Sequence, residues 1–277
     1  MGMRINTNVA SVSAQRSLRV VTKDRSDSMA KMSSGTRINK AADDSAGLAI
    51  SEKLKAEIRS SQQATRNAND GISFVQVAEG GLNEVQNMLT RLRELAIQSS
   101  SDTVGEDERK FTNLEYQQLK SEIDRIAKVT NYNGTNLLDG SGKTLDFQIG
   151  VGNNAAVDRI SYNSQNIDSR LQSLEIDGLD ISSKDGAQTS LQTVDMAIKK
   201  VSGQRAELGA LQNRLQSTNN NLEVSIQNLT ESNSRIRDLD FANETANSAR
   251  LGILEAAGTS VLAQANLSSQ AALKLVG

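Results

Sequence analysis

Apolar residues recur at steps of three and four from Asp44 to Gln98, through Ile50, Leu54, Ala64, Ala68, Gly71, Val75, Ala78, Leu82, Val85, Leu89, Leu92 and Ala96. Glu57 and Ser61 are the polar members of this seam. A seven-residue period without proline predicts one helix, about 80 Å long at roughly 1.5 Å per residue, that needs partners along its whole length. A second seam starts at Leu191 and runs through Val194, Ile198, Val201, Leu208, Leu215, Leu222, Ile226, Leu229 and Ile236. Arg205, Gln212, Asn219 and Asn233 stand in it as polar residues of the kind that fix register at a cost in stability. These two long seams are the natural partners of one another.

Shorter patterns fill the rest. Ile5 to about Met32 is helical but thin, with Val9 and Val12 keeping the spacing before Arg16 and Arg19 interrupt it. Thr103 to Glu106 fits a capping box, and a helix from about Gly105 to Lys128 would turn Phe111, Leu114, Leu119, Ile123 and Ile126 inward. Between Asn131 and Ser190 the period changes to that of strands. Asn133-Gly134 marks a turn, Leu145–Ile149 alternates, Val151–Asn154 turns into Arg159–Tyr162, and short strands are expected at Leu174–Ile176 and Leu179–Ile181. A last helix, Phe241–Val276, carries a stripe of mostly small residues: Leu254, Gly258, Val261, Ala265, Ser268, Ala272 and Leu275. The expected fold is mainly α: an elongated antiparallel helical bundle or coiled coil with a small β-hairpin region at one end. Both thin terminal helices bury too little to offset the entropy of ordering them alone.

Composition sharpens this. The 277 residues include no proline, cysteine, histidine or tryptophan, and only 3% are aromatic. That suits slender helices with small interfacial residues and removes the usual residues of zinc, haem and Cys or His chemistry. No catalytic, metal or cofactor site is expected. The Asp43-Asp44 pair reads as a helix cap, and Gly80-Gly81 and Gly150-Val151-Gly152 lack the context of a phosphate loop. Basic and acidic side chains nearly balance, 31 to 33, and no aromatics interleave the cations, so neither nucleic acid nor an anionic membrane is expected as a partner. The cations do gather before Asp43, at Arg4, Arg16, Arg19, Lys23, Arg25, Lys31, Arg37 and Lys40, which reads as a solvated helix face or as pairing with neighbouring subunits. No stretch has the length of a membrane span, and the start lacks a secretory apolar core, which on residues alone points to the cytosol.

Six strings distributed from end to end resemble bacterial flagellin. They are Met3–Asn8, Ser33–Ile50, Leu92–Gln98, Asn133–Gly140, Ser234–Phe241 and Ala257–Asn266. The resemblance implies a subunit that polymerises into an extracellular flagellar filament after export, unfolded and without a cleaved signal, through the flagellar type III apparatus. A hook-filament junction protein is the alternative within flagella. It implies terminal segments 1–42 and 236–277 that order on assembly into an inner tube, with Ile5, Val9, Val12, Leu254, Val261 and Leu275 as contacts. It implies an outer-tube bundle over 43–235, with the hairpin-rich region at 131–190 where family members carry variable insertions. Expected partners are other copies of the chain, flagellar cap and hook-associated proteins, and an export chaperone at the C-terminal region. Arg91, Leu95 and Glu115 match a surface recognised by Toll-like receptor 5, with Thr90 departing from the Gln common there.

Overall fold

The computed structural model describes residues 7–276, with side chains described through residue 267. The chain runs α1 (Val9–Ser34), α2 (Ser45–Ser99), α3 (Glu106–Val129), β1 (Asn131–Tyr132), β2 (Thr135–Asn136), β3 (Thr144–Gln148), α4 (Ala155–Asp158), β4 (Arg159–Asn163), α5 (Lys184–Arg237) and α6 (Phe241–Val276). It divides into two compact units, Met1–Ala56 with Asn228–Gly277, and Glu57–Gln227. Helices α2 and α5 contribute to both.

In the Glu57–Gln227 unit the seam of α2 is buried as its spacing predicts. Ala64, Ala68, Val75, Ala78, Leu82, Val85, Leu89, Leu92 and Ala96 are all essentially without solvent exposure. Helix α5 runs antiparallel to it. Arg93 bonds Asp195 (2.7 Å), Arg205 lies 3.6 Å from Glu79, and the Asn219 amide donates to Asn69 (3.4 Å), so numbers rise on one helix as they fall on the other. The buried stripe of α5 is Ala187, Ser190, Val194, Ala197, Val201, Gln204, Leu208, Leu211, Leu215 and Asn219. Gln204, not Arg205, is thus the polar residue turned inward, where its amide reaches the carbonyls of Asn166 and Asp168 (3.2 and 3.4 Å). Arg205 keeps its head at the rim beside Glu79, because a guanidinium cannot enter an apolar seam without a buried partner.

Helix α3 folds back along α2, with the Ser99 and Thr112 hydroxyls 2.9 Å apart. The expected capping box does not form. Gly105 is the N-cap without a side-chain bond, and the Thr103 amide instead donates to the Ser101 hydroxyl in the preceding turn. The three carboxylates Glu106, Asp107 and Glu108 in the first turn suit the positive helix end instead. The inward face is also rotated from expectation. Tyr116, Lys120, Ile123 and Ala127 are buried, with Leu119 and Ile126 packed beside them, whereas Phe111 and Leu114 are 71% and 65% exposed. Near its start the helix turns the Thr112 and Tyr116 side inward, which leaves positions 111 and 114 outside.

The strands form two antiparallel hairpins. Asn133 (φ 50°) and Gly134 (φ 77°) occupy the two-residue turn between β1 and β2, the positive-φ pair that a type I′ turn requires. Strands β3 and β4 pair Thr144 with Asn163 through Gln148 with Arg159. Phe147, Tyr132 and Tyr162 surround Phe74, with ring centroids 5.9, 6.1 and 6.4 Å away. The close approach needs glycine. A Cβ on Gly71 would stand 3.0 Å from Phe147, and one on Gly81 would stand 2.7 Å from Leu138. The hairpins therefore lie alongside α2 between Asn67 and Gly81, and α2 continues past them to Ser99.

Residues 174–176 and 179–181 are not strands. Leu174, Ile176 and Ile181 are buried, but the amides of Leu174 and Ile176 bond within local turns, that of Ile181 donates to the Asn113 side chain (3.3 Å), and Glu175 takes φ 60°. The alternation there records side chains pinned to the core, not pairing. The pins come from α3: Lys120 donates to the carbonyls of Asp177 (2.5 Å) and Leu179 (3.0 Å), and Gln117 also reaches Leu179 (3.0 Å). Helix α5 then starts at Lys184, earlier than the seam at Leu191, because the Ser183 hydroxyl caps the Gly186 amide (3.1 Å). The hairpin region accordingly stops well short of residue 190.

Candidate assembly surfaces

In the other unit, α1 and α6 pack antiparallel. Asn8 caps α1 by accepting from the Ser11 amide (3.0 Å), and its own amide donates to the Ala265 carbonyl (2.8 Å). Ser11 donates to Asn266 (2.8 Å), Arg25 pairs with Glu255, and Ser28 bonds Glu244. Gly258 lets Leu18 approach to 3.2 Å of where a Cβ would stand. The breaks that follow α1 and α5 are joined. Gly35, at φ 68°, ends α1; Arg37 donates its amide to the Arg237 carbonyl (2.7 Å), and Leu239 donates to Gly35 (3.1 Å). Asp44 then caps α2 through the Gly47 amide (2.8 Å), and Asp240 caps α6 through Ala242 and Asn243 (3.0 and 3.2 Å). Backbone amides hold the carboxyls of Asp43 and Asp240 below the usual carboxylate range.

Among what this unit leaves uncovered are large apolar residues. On α1 the buried residues are Ser11 and Ser28, while Val9 and Val12 are 65% and 62% exposed. On α6, Leu254 and Val261 are 47% and 59% exposed. Leu254 and Val261 come together on an open groove of about 550 Å³ between the two helices, opposite Ala10, Ala14, Leu18 and Val21. Val9 and Val12 lie off that groove. Ile5 and the side chain of Leu275 fall outside the described residues. Reading α1 through its valines missed the groove wall; the small residues Ala10, Ala14 and Ser17, three and four apart, carried that signal. Ile50, expected in the seam of α2, is 51% exposed, and Ser51 is buried in its place, donating to Asn233 (2.8 Å).

The Arg91 guanidinium bonds Glu115 (2.9 Å) and Glu94 (3.0 Å), and those carboxylates raise its pKa, Glu94 first. Arg91 and Glu115 are about half exposed. Leu95, expected on the same surface, is 1% exposed: α2 is covered by both α3 and α5 at this level, so Leu95 and its neighbour Ala96 both belong to the core. Among the described residues no cluster of three or more His, Cys, Asp or Glu could hold a metal, and no helix is long and apolar enough to cross a membrane.

The fold and these surfaces define a class: a helical-bundle structural protein whose N- and C-terminal helices are paired and carry an uncovered apolar face. Family models confirm which one. The bacterial flagellin N-terminal helical region matches residues 5–143, and the bacterial flagellin C-terminal helical region matches residues 191–276. A flagellin of Halalkalibacterium halodurans is 42% identical over 274 residues, spanning 99% of this chain and all of that protein. The crystal structure of Bacillus cereus flagellin superposes with a TM-score of 0.51 at 33% identity, over 57% of this chain and 88% of that one. A protein of Vibrio parahaemolyticus described as flagellar hook-associated shares the fold alone, with a TM-score of 0.58 at 13% identity over 71% of this chain and 100% of that one. This chain belongs to the bacterial flagellin family, the subunits of the flagellar filament, and the hook-junction alternative is not favoured.

Proposed function

We propose that copies of this chain polymerise into an extracellular flagellar filament through their terminal helices, which become ordered on assembly. The carrying observation is where apolar burial falls. Of the buried hydrophobic residues, Ile38 and Leu251 alone lie in the terminal unit, among the described residues; all the others lie between Glu57 and Gln227. Two buried side chains supply about 3–6 kcal/mol, far below the entropy of fixing two helices of this length. Covering Val9, Val12, Leu254 and Val261 with neighbouring copies supplies more, and it makes order depend on concentration. In this reading segments 1–42 and 236–277 form an inner tube and 43–235 an outer one, with Ile5 and Leu275 continuing the contacts.

Export through the flagellar type III apparatus, a chaperone on the C-terminal region, and contacts with cap and hook-associated proteins belong to the same reading. So does a Toll-like receptor 5 contact, now resting on Arg91 and Glu115. The test is Val261→Asp. The variant should keep the helical content of the Glu57–Gln227 unit by circular dichroism and form no filaments in electron micrographs after seeding; filaments of ordinary length would refute the proposal.

A further inference from the structure

The sequence contains a single Asn-Gly step, Asn133–Gly134, in the turn between β1 and β2. Both residues are exposed, and both take positive φ. Among the described residues the Asn133 carboxamide has no hydrogen-bond partner, and the Gly134 amide donates to nothing. A Cβ at Gly134 would meet nothing within 4 Å, so that side of the turn is open. Asparagine is labile where the next backbone nitrogen can reach its side-chain carbonyl carbon, and glycine crowds that approach least.

Elsewhere the structure obstructs the same route. After Asn39, Asn136, Asn153, Asn163 and Asn166 the following amide is already bonded: to Asp43 (2.9 Å), Thr130 (3.0 Å), Asp158 (2.8 Å), Lys143 (3.4 Å) and Ser164 (3.2 Å) in turn. The side chains of Asn131 and Asn154 are tied to the Val129 carbonyl (2.9 Å) and the Ala156 amide (3.0 Å). Asparagines inside the long helices are followed by amides held in the helical ladder.

We propose that Asn133 is a self-modification site, at which the folded chain slowly converts its own asparagine to aspartate and isoaspartate. The Gly134 nitrogen attacks Asn133 Cγ, the bond from Cγ to Nδ2 breaks, and Nδ2 leaves as ammonia with the Gly134 amide proton. Water then opens the resulting succinimide. Attack at Cγ breaks the new bond and leaves an ordinary aspartate; attack at the main-chain carbonyl carbon breaks the original peptide bond and leaves isoaspartate. Water is the sole co-reactant, and nothing is oxidised or reduced.

The two products differ in what the hairpin can hold. Ordinary aspartate keeps the turn, because Asp-Gly also suits type I′ geometry. Isoaspartate adds a carbon to the main chain and so upsets the register that pairs Asn131 with Asn136 and Tyr132 with Thr135. That register sets Tyr132 edge-on to Phe74, and the Leu137–Thr130 bond follows directly after it. Without enzymatic repair the change runs one way, so the isoaspartate content records the age of the chain.

The test uses the full chain as a monomer, held at one temperature and pH in buffer and, separately, in urea. Peptide mass spectrometry follows the exchange of NH2 for OH, and a protein isoaspartyl methyltransferase labels the isoaspartate. In buffer Asn133 should convert at least about tenfold faster than Asn163 or Asn233. Asn133→Gln should gain no isoaspartate at this position, since its longer side chain closes a less favoured ring. An Asn133 that stays intact in buffer, whether or not it converts in urea, overturns the proposal; so does a matching rate at Asn163. Amide exchange at Leu137 should be at least about fivefold faster in the isoaspartyl chain than in Asn133→Asp, and equal exchange overturns the loss of register.

Discussion

Tyr116 is fully buried between α3 and its neighbours, and its hydroxyl makes no hydrogen bond of normal geometry. Burial pushes the phenol up from its ordinary 10 to about 12, and the nearby Ser190 hydroxyl offsets this only in part. Between those two values an unfolded chain has released the proton while the folded chain retains it. Stability linked to Tyr116 is therefore whole below pH 10 and is lost as pH rises toward 12. At about 1.4 kcal/mol per pH unit, the loss reaches roughly 3 kcal/mol. Tyr116→Phe removes the titration and a hydroxyl without a partner, so at pH 8 the variant should match the parent within about 1 kcal/mol. By pH 12 it should be more stable by about 3 kcal/mol. Tyr162, also raised by burial, and Lys120, 6.0 Å from the Tyr116 ring, are present in both chains and cancel in the difference. Urea unfolding followed by far-UV circular dichroism at a series of pH values measures it. Parallel losses in the two chains between pH 10 and 12 would refute the reasoning, as would a large deficit of the variant at pH 8.

Lys120→Met should leave the Asp177 carbonyl without its donor, while Gln117 still serves Leu179, so the urea stability at pH 7 should fall by about 2 kcal/mol, with faster amide exchange over residues 174–182. Because burial chiefly lowers the Lys120 pKa, against Asp177 and Asp180, the cost of holding the ammonium fades as pH rises toward 10.5, and the deficit of the variant should widen on that approach; a variant as stable as the parent, with unchanged exchange, contradicts the strap. Arg91→Ala monomer should lose about tenfold in potency on reporter cells bearing Toll-like receptor 5 if Arg91 touches the receptor, and equal potency removes that assignment.

The long helices were legible because a seven-residue apolar period has one physical reading, and from Ala64 to Ala96 every seam position is buried as its spacing requires. The Asn133-Gly134 turn was legible for an equally local reason, the positive φ that both residues tolerate. What misled is decided between elements. Whether Phe111 or Tyr116 faces inward depends on where α2 lies against α3, and both phases of that helix offer large apolar residues. Leu174, Ile176 and Ile181 alternate like a strand, but the main chain there is held by α3 side chains, Lys120 and Gln117 at Asp177 and Leu179 and Asn113 at Ile181, which no period in the segment itself announces. In the terminal unit the pattern marked amphipathic helices correctly. It could not say that Ser11 and Ser28 would face the partner helix within the chain while Val9 and Val12 would stay exposed.

That inversion has a physical consequence. A helix pair held by Ser11–Asn266, Ser28–Glu244 and Arg25–Glu255 is specified by polar geometry, which sets register while contributing little net stability, since each bond replaces one to water. Apart from Leu251 and the Leu18 contact at Gly258, the large apolar residues of the pair, Val9, Val12, Leu254 and Val261 among them, remain largely exposed. The unit from Glu57 to Gln227 has the opposite design: its seam is filled by Leu and Val, and its polar insertions, Gln204 and Asn219, find partners within the chain. On the proposed reading, one chain carries a bundle with a core of its own and a pair of helices whose register is encoded and whose stability comes from neighbouring copies. Replacing Val9 or Val12 by serine should therefore cost the isolated chain almost nothing and act through assembly alone.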